Sequence, residues 1–148
     1  MAVRPENRHR YPKDWPQIAA SIRARAGDVC EACGAPNGKF IRRALSGDGA
    51  PVWRLASDPA FSNGYSAVDG TEVPNTMEDE CGYGRSVRVI LTVAHLDHQP
   101  ENCASDNLRA WCQRCHNAYD APMRRAGIRS RARAKLVVAD LFAEPPHP

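Results

Sequence analysis

The sequence lacks long apolar runs and has few aromatic residues. No stretch of the 148 residues approaches the roughly 18 apolar residues of a membrane span, so we expect no transmembrane helix and no membrane partner. Residues 1–10 carry charge but no apolar segment, so we expect no secretory signal and a reducing cytosol. Aromatic residues make up 7% of the chain, and twelve prolines and ten glycines interrupt it, which predicts a small core with many loops. A thin core makes the six cysteines worth explaining.

Negative charge is concentrated in the middle of the chain. Residues 44–83 contain one basic residue, Arg54, against seven acids, whereas the remaining residues contain 19 Lys and Arg against 10 acids. The basic flanks favour a polyanionic partner such as nucleic acid, because neutralising phosphates drives that kind of binding. Arginines that only solvate helix surfaces are the plainer explanation, and charge alone does not separate the two.

The first half of the chain predicts an arm, a helix and an insertion. Residues 1–13 are polar and basic and form the predicted arm. Asp14 can cap a helix whose apolar residues recur at helical spacing, and Gly27 is a natural stop. Arg23 and Arg25 lie off the apolar face of this helix and are expected to face water or DNA. We expect an irregular insertion over 44–84, with a short strand around 52–55.

The second half predicts two strands followed by helices. Residues 86–95 are rich in β-branched side chains and predict one strand, and 108–111 predict a second, shorter one. A helix is expected to begin near His116, with Pro122 either interrupting it or opening the next helix. Ser130 can cap a final helix that runs through residue 142, before a frayed tail over 143–148. Residues 14–142 are therefore expected to form one α+β domain.

Two Cys-x-x-Cys pairs are the first pattern that carries chemistry. They are Cys30 with Cys33 and Cys112 with Cys115. Two intervening residues allow both sulfurs to reach one tetrahedral ion, and two such pairs complete a closed, structural zinc site. Disulfides are disfavoured in a reducing compartment, and a thioredoxin-like redox pair lacks its βαβ context. The two remaining cysteines, Cys81 and Cys103, have no such partner and are interpreted as bystanders.

Three histidines, an aspartate and an asparagine lie between and around these pairs. They are His95, Asp97, His98, Asn107 and His116, and they follow the order strand, His-x-Asp-His, loop, Asn, strand, Cys-x-x-Cys-His, helix. Neutral histidine can accept a proton near pH 7, and histidine with a carboxylate can bind several divalent ions. Most single histidines have no such role, so the hypothesis depends on the combination.

The combination resembles the HNH (ββα-metal) endonuclease family, in its variant with a four-cysteine zinc knuckle. The matching segments are 30–34, 92–98 and 107–117, and eight residues separate Asn107 from His116 as in the family pattern. The resemblance implies a ββα-metal core stapled by zinc and a DNA substrate. It also implies a catalytic Mg²⁺, Mn²⁺ or other divalent ion, and a bacterial or phage-infected cytoplasm.

The resemblance also assigns roles to the five residues. His116 is implied as a metal ligand and Asn107 as the residue that orients the general base. We prefer His95 as the base because it keeps the strand register, which leaves Asp97 or His98 as the second ligand. Alignment on the Asp-His pair instead makes His98 the base. It reduces the number of residues that separate the base from Asn107 in the sequence.

A basic stretch follows the last motif. Residues 123–135 contain six basic residues and no acid. Phosphate contacts with weak sequence preference are one interpretation, and a solvated helix face is the other. The predicted DNA-binding residues are Arg109, Arg124, Arg125, Arg129, Arg131, Arg133 and Lys135.

The sequence therefore predicts a small metal-dependent endonuclease that nicks or cuts DNA. Two alternatives from other classes stay open. One is a catalytically silent zinc-knuckle protein that binds nucleic acid, and the other is a module that uses the knuckle to bind a protein.

Overall fold

The structure is a computed structural model, and it describes residues 5–46, 49–58, 63–74 and 85–141, with the side chains of 6 and 136–141 left out. Cys81, the predicted tail and the end of the predicted last helix at Phe142 lie outside these residues. The chain divides into two compact units, Met1–His116 and Asn117–Pro148. The described chain is of mixed α+β class.

The helical segments are a 3-10 helix, Pro5–Arg10, and two α-helices, α1 at Trp15–Arg25 and α2 at Gln113–Leu141. Gly27 follows α1 with a φ of 63°, a conformation that glycine adopts without strain, and ends the helix as predicted. Asp14 stands at the start of α1, but its side chain makes no capping hydrogen bond. None of the described helices is both long enough and apolar enough to cross a bilayer.

The expected break at Pro122 is wrong. The proline lies inside α2, which runs on past Ser130 without a new start, so Ser130 caps no helix. A proline costs a helix one backbone hydrogen bond and a clash with the preceding turn. Most of the residues that follow it up to Lys135 are good helix formers, alanine and arginine, although Gly127 lies among them.

The central segment is more regular than the sequence suggested. Five strands form one antiparallel sheet in the order β4-β3-β2-β1-β5. They are β1 Phe40–Leu45, β2 Pro51–Leu55, β3 Gly64–Ser66, β4 Glu72–Val73 and β5 Val87–Arg88. The strand near 52–55 was predicted, whereas the expectation of irregular structure elsewhere in 44–84 is wrong for β3 and β4 and for the last two residues of β1. These strands are short, and whether such a segment forms a strand depends more on its pairing partner than on its own composition.

A second, two-stranded sheet joins β6, Leu91–His95, to β7, Leu108–Cys112. The antiparallel register sets Leu91 opposite Cys112 and His95 opposite Leu108. The single strand predicted over 86–95 is therefore two strands that belong to different sheets. The bend between them falls at Val89 and Ile90, where Val89 is buried and donates its N–H to the carbonyl of Lys39.

The core of the first unit lies where α1 and the two sheets meet. It contains Ile22 of α1, Ile41 and Trp53 of the five-stranded sheet, and Leu91 and Leu108 of β6 and β7. Three of the knuckle cysteines, Cys30, Cys33 and Cys112, belong to the same buried cluster. The predicted metal site is thus part of the core.

Candidate metal centre and neighbouring histidine site

The four predicted zinc ligands come together. The sulfur atoms of Cys30, Cys33, Cys112 and Cys115 all lie within 4.8 Å of one another. The Sγ atoms of Cys33 and Cys112 are 3.8 Å apart. Four sulfurs about 2.3 Å from a tetrahedral zinc ion would be separated by about 3.8 Å, so this spacing fits zinc. Four cysteines leave no open position, and the site is suited to a structural ion.

Hydrogen bonds shape this cysteine cluster. The backbone N–H of Cys112 donates to the sulfur of Cys30 at 3.3 Å. Hydrogen bonds from the thiols of Cys115, Cys30 and Cys33 lower the pKa of Cys112. The same hydrogen bonds raise the pKa of Cys33 and Cys115, because the four thiols share their protons.

The five-stranded sheet supports the first Cys-x-x-Cys turn. The indole N–H of Trp53 donates to the carbonyl of Cys33 at 2.7 Å. Gly70, at a φ of 79°, approaches the same turn so closely that an added Cβ would lie 3.1 Å from the Cα of Gly34. The predicted insertion therefore contributes to the shape of the metal site.

A positive charge lies beside the cluster. The Nη2 atom of Arg43 is 3.6 Å from the sulfur of Cys112, and its Nη1 atom is buried without a hydrogen-bond partner among the described residues. Four thiolates around Zn²⁺ carry a net charge of about −2, which a neighbouring guanidinium offsets. Arg43 gives this buried cluster a fixed counter-charge.

Arg25 is exposed, as expected, but its guanidinium is also tied to other segments of the protein. Its Nη1 donates to the carbonyl of Ser105 at 2.6 Å, and its Nη2 donates to Leu108 O at 2.7 Å and to Glu31 Oε1 at 2.9 Å. Glu31 also accepts from the backbone N–H of Ala110. The two side chains tie the first cysteine turn to β7. The sequence of α1 alone could not predict these bonds, because their hydrogen-bond acceptors belong to other segments of the chain.

His116 is held at the start of α2 by Thr92 of β6. The Oγ1 of Thr92 lies 2.7 Å from Nδ1 of His116 and 3.2 Å from the carbonyl of Trp111. The hydroxyl has one proton, so both bonds form together only if it donates to Trp111 and accepts from Nδ1–H. Neutral His116 then carries its lone pair on Nε2, the tautomer that can coordinate an ion through that atom.

His95 ends β6 and is buried among aromatic rings. Trp15 stacks on its imidazole at 5.1 Å between centroids, and Tyr11 meets it edge-on at 5.8 Å. Its Nε2 lies 3.9 Å from the sulfur of Cys103. Burial lowers the pKa of His95, and the charge that His116 can carry lowers it further, against the opposing charge of Asp97. The lowered pKa favours the neutral form of His95, the form that can accept a proton.

Asn107 and Asp97 hold the loop between β6 and β7. Asn107 accepts from the backbone N–H of Asp97 at 3.1 Å, and its Nδ2 donates to Asp97 Oδ1 at 3.0 Å. The Asp97 carboxylate also accepts from the Gln99 N–H at 2.8 Å and from Asn102 at 2.7 Å. These bonds, the Gln99 one first, lower the pKa of Asp97 to about 2. Asn107 thus orients the loop that follows His95.

The predicted second metal site is not assembled as the first one is. His98 follows Asp97 in the loop with a φ of 58°. The four cysteines form the one group of three or more ligand side chains within 4.8 Å that the described residues contain. Asp97, His98 and His116 do not form another.

The predicted DNA-binding residues fall into two environments. Arg109 of β7 is half-buried, and its guanidinium donates to the carbonyls of Asp106 and Leu108. The other six are exposed on α2 within the second unit: Arg124, Arg125, Arg129, Arg131, Arg133 and Lys135.

Sequence reasoning missed several residues that support these sites. Thr92, Trp15 and Tyr11 surround the two histidines, and Glu31 ties the cysteine turn to β7. Only the strand register and the position of α1 show that these residues lie beside the sites. Their residue types alone do not indicate a functional site. No family model, curated protein or solved structure matches this chain.

Proposed function

We propose that this protein is a metal-dependent endonuclease of the HNH type that hydrolyses DNA phosphodiester bonds. One observation carries the proposal: the strand that ends at His95 also holds His116, through Thr92. This link supports assigning the two histidines to one site, and the charge that His116 can carry lowers the pKa of His95, after the larger effect of burial. The fit of the four cysteines to zinc adds support, because a thin core gains from a metal that fixes β7 and the start of α2.

His95 is the proposed general base. In its neutral form it takes a proton from water, and the oxygen of that water attacks the phosphorus. The bond from phosphorus to the 3′ oxygen breaks, and this oxygen takes a proton from solvent water, which leaves a 5′-phosphate and a 3′-hydroxyl. The rings of Trp15 and Tyr11 hold the imidazole of His95 in one orientation. This lowers the entropic cost of reaching the reactive geometry.

His116 is the proposed ligand of the catalytic ion, together with Asp97 or His98. Nitrogen and carboxylate donors suit Mg²⁺, Mn²⁺ and related ions. Such ions keep several waters and bind substrate phosphates, so one or two protein ligands suffice and a cluster of three is not required. When bound, the ion supplies charge relief at the phosphate and stabilises the departing oxygen.

Cleavage of supercoiled plasmid tests the proposal. Purified protein that has kept its zinc is incubated with Mg²⁺ or Mn²⁺ and without added ion, beside His95→Ala, His98→Ala and His116→Ala. We expect nicking that requires the added ion and falls at least 100-fold in His95→Ala and His116→Ala. The matched control is His9→Ala, which removes an exposed histidine of the 3-10 helix.

The pattern of losses separates the alternatives. A loss in His98→Ala with full activity in His95→Ala would move the base to His98. DNA binding without nicking for every ion would favour a silent nucleic-acid-binding protein, and neither binding nor nicking would favour a protein-interaction module. Either of these last two results overturns the enzyme proposal.

A further inference from the structure

A groove beside the cysteine cluster lies outside the proposed reaction. It has a volume of about 380 Å³ and is lined by Arg43, Val87, Arg88, Val89, Gln113 and Arg114. We call it the arginine groove. Its walls come from β1, from β5 and the residue after it, and from the first turn of α2, so it lies wholly within the first unit.

The arginine groove carries positive charge that the described residues do not neutralise. Of the six described residues that line it, three are arginines and none is acidic. Arg88 and Arg114 are exposed, and the ion pairs seen in the described residues, Arg10–Glu101 and Arg25–Glu31, involve neither of them. Positive potential concentrated in a concave surface attracts anions.

The groove is also held in shape before any ligand arrives. Gln113 donates through Nε2 to the carbonyl of Arg88 at 3.3 Å and accepts from the N–H of Ile90 at 3.2 Å. Arg88 in turn donates through Nε to the carbonyl of Gly38 at 3.3 Å. These bonds fix the distance between the backbone of Arg88 and the helix start that carries Arg114. A prearranged pair of cations loses less entropy when it binds.

The three arginines of the groove lie in different environments. Arg43 is directed at the sulfur of Cys112, so its charge serves the cysteine cluster. Arg88 and Arg114 are exposed, and neither forms an ion pair with an acid among the described residues. Guanidinium groups match phosphate oxygens in a bidentate geometry, and the apolar floor of Val87 and Val89 suits the sugar between successive phosphates.

We propose that the arginine groove binds the phosphodiester backbone of the nucleic acid, with Arg88 and Arg114 each contacting a phosphate. This inference rests on the proposed function in one respect, namely that nucleic acid is the substrate. It adds a contact surface that no sequence motif marks, because the two arginines are 26 positions apart in the chain. The groove would position the strand without reading its sequence.

Fluorescence anisotropy with a labelled 20-base-pair duplex, over a KCl series and without added divalent ion, tests the proposal. We expect Arg88→Gln with Arg114→Gln to weaken binding roughly tenfold at 0.1 M salt, and to make the slope of log affinity against log salt shallower by about two. Each single variant should change the slope by about one. Zinc content and far-ultraviolet circular dichroism confirm that the variants fold.

Arg42→Gln is the matched control. Arg42 is exposed on β1 directly before Arg43, and alternation along a strand directs it to the opposite face. It removes the same charge but should leave the salt slope unchanged. An equal effect of Arg42→Gln and Arg88→Gln, or no effect of the double variant, overturns the proposal.

The acidic residues Glu78, Asp79 and Glu80 are the competing occupant, since they precede β5 in the chain. If neutralising them destabilises the native chain but not the Arg88→Gln Arg114→Gln variant, the groove belongs to this segment and the proposal is overturned. Cleavage distinguishes this inference from the proposed function. Groove-dependent binding without cleavage by any ion refutes only the reaction, whereas cleavage with unchanged binding in the double variant refutes only the groove.

Discussion

Thr92 and His116 are joined by a hydrogen bond of 2.7 Å between Oγ1 and Nδ1, which links the strand of one histidine to the other. Thr92→Val keeps the shape of the side chain and removes this bond. We expect cleavage to fall roughly 10- to 100-fold, mainly through weaker activation by Mn²⁺, because partners of ligand histidines have effects of that size. Thr92→Ser should retain activity, and the exposed Thr71→Val is the control. Unchanged Mn²⁺ activation in Thr92→Val would contradict this role.

Zinc should be bound once per chain and should be required for folding. Cys112→Ser removes one of four ligands and exposes the core to water, so we expect loss of zinc and of the cooperative unfolding transition. Structural zinc contributes about 10 kcal/mol or more in small zinc domains. Metal analysis and circular dichroism measure both effects. Cys103→Ser, outside the cysteine cluster, should keep zinc and fold normally; a folded, zinc-free Cys112→Ser would refute the assignment.

Arg43 should strengthen the hold on zinc by offsetting the charge of the thiolates. In Arg43→Met the stem is retained and the guanidinium near Cys112 is lost. Hydrogen bonds to charged groups contribute about 1.5 kcal/mol or more, so transfer of zinc to a chelating dye should be roughly tenfold faster. The transfer rate is followed by the absorbance of the dye. Arg42→Met controls for net charge, and equal rates in the two variants would count against the interaction.

The N-terminal segment should loosen in acid. Arg10 donates to the carboxylate of Glu101 at 2.6 and 3.0 Å, which lowers the pKa of Glu101. A depressed carboxyl pKa stabilises the folded state above the unfolded value of about 4.3, and this is lost as pH falls through the folded pKa. We expect a few-fold lower hydrogen-exchange protection of the Tyr11 amide in Glu101→Gln at pH 6.

The pH series completes that test. As pH falls from 6 through the lowered pKa of Glu101, the native chain should approach the protection seen in Glu101→Gln, while the variant itself changes little. Zinc content is monitored so that the comparison stays within the range where the metal is bound. If the difference in Tyr11 amide protection between the two proteins stayed constant across this range, the Arg10–Glu101 pair would not titrate as expected.

Parts of the fold followed from local sequence alone. The apolar spacing after Asp14 and the stop at Gly27 predicted both ends of α1 closely. Each of these signals is local, since it depends on residues within about one helix turn. The β-branched run before His95 and the short run from Leu108 marked β6 and β7. Strands β3 and β4 of the central sheet escaped prediction, because two- and three-residue strands exist only where a neighbour pairs with them.

The sequence by itself identified the four cysteines that come together, since two Cys-x-x-Cys spacings suit four sulfurs to one tetrahedral ion. It also determined that the histidines and Asn107 flank a hairpin. Tertiary structure alone decided what surrounds them: Thr92 beside His116, Trp15 on His95 and Arg43 beside Cys112. The physical reason is the range of the forces involved. Spacing along the chain fixes neighbours within a few residues, whereas hydrogen bonds, ring contacts and charges act between segments that only the folded core brings together.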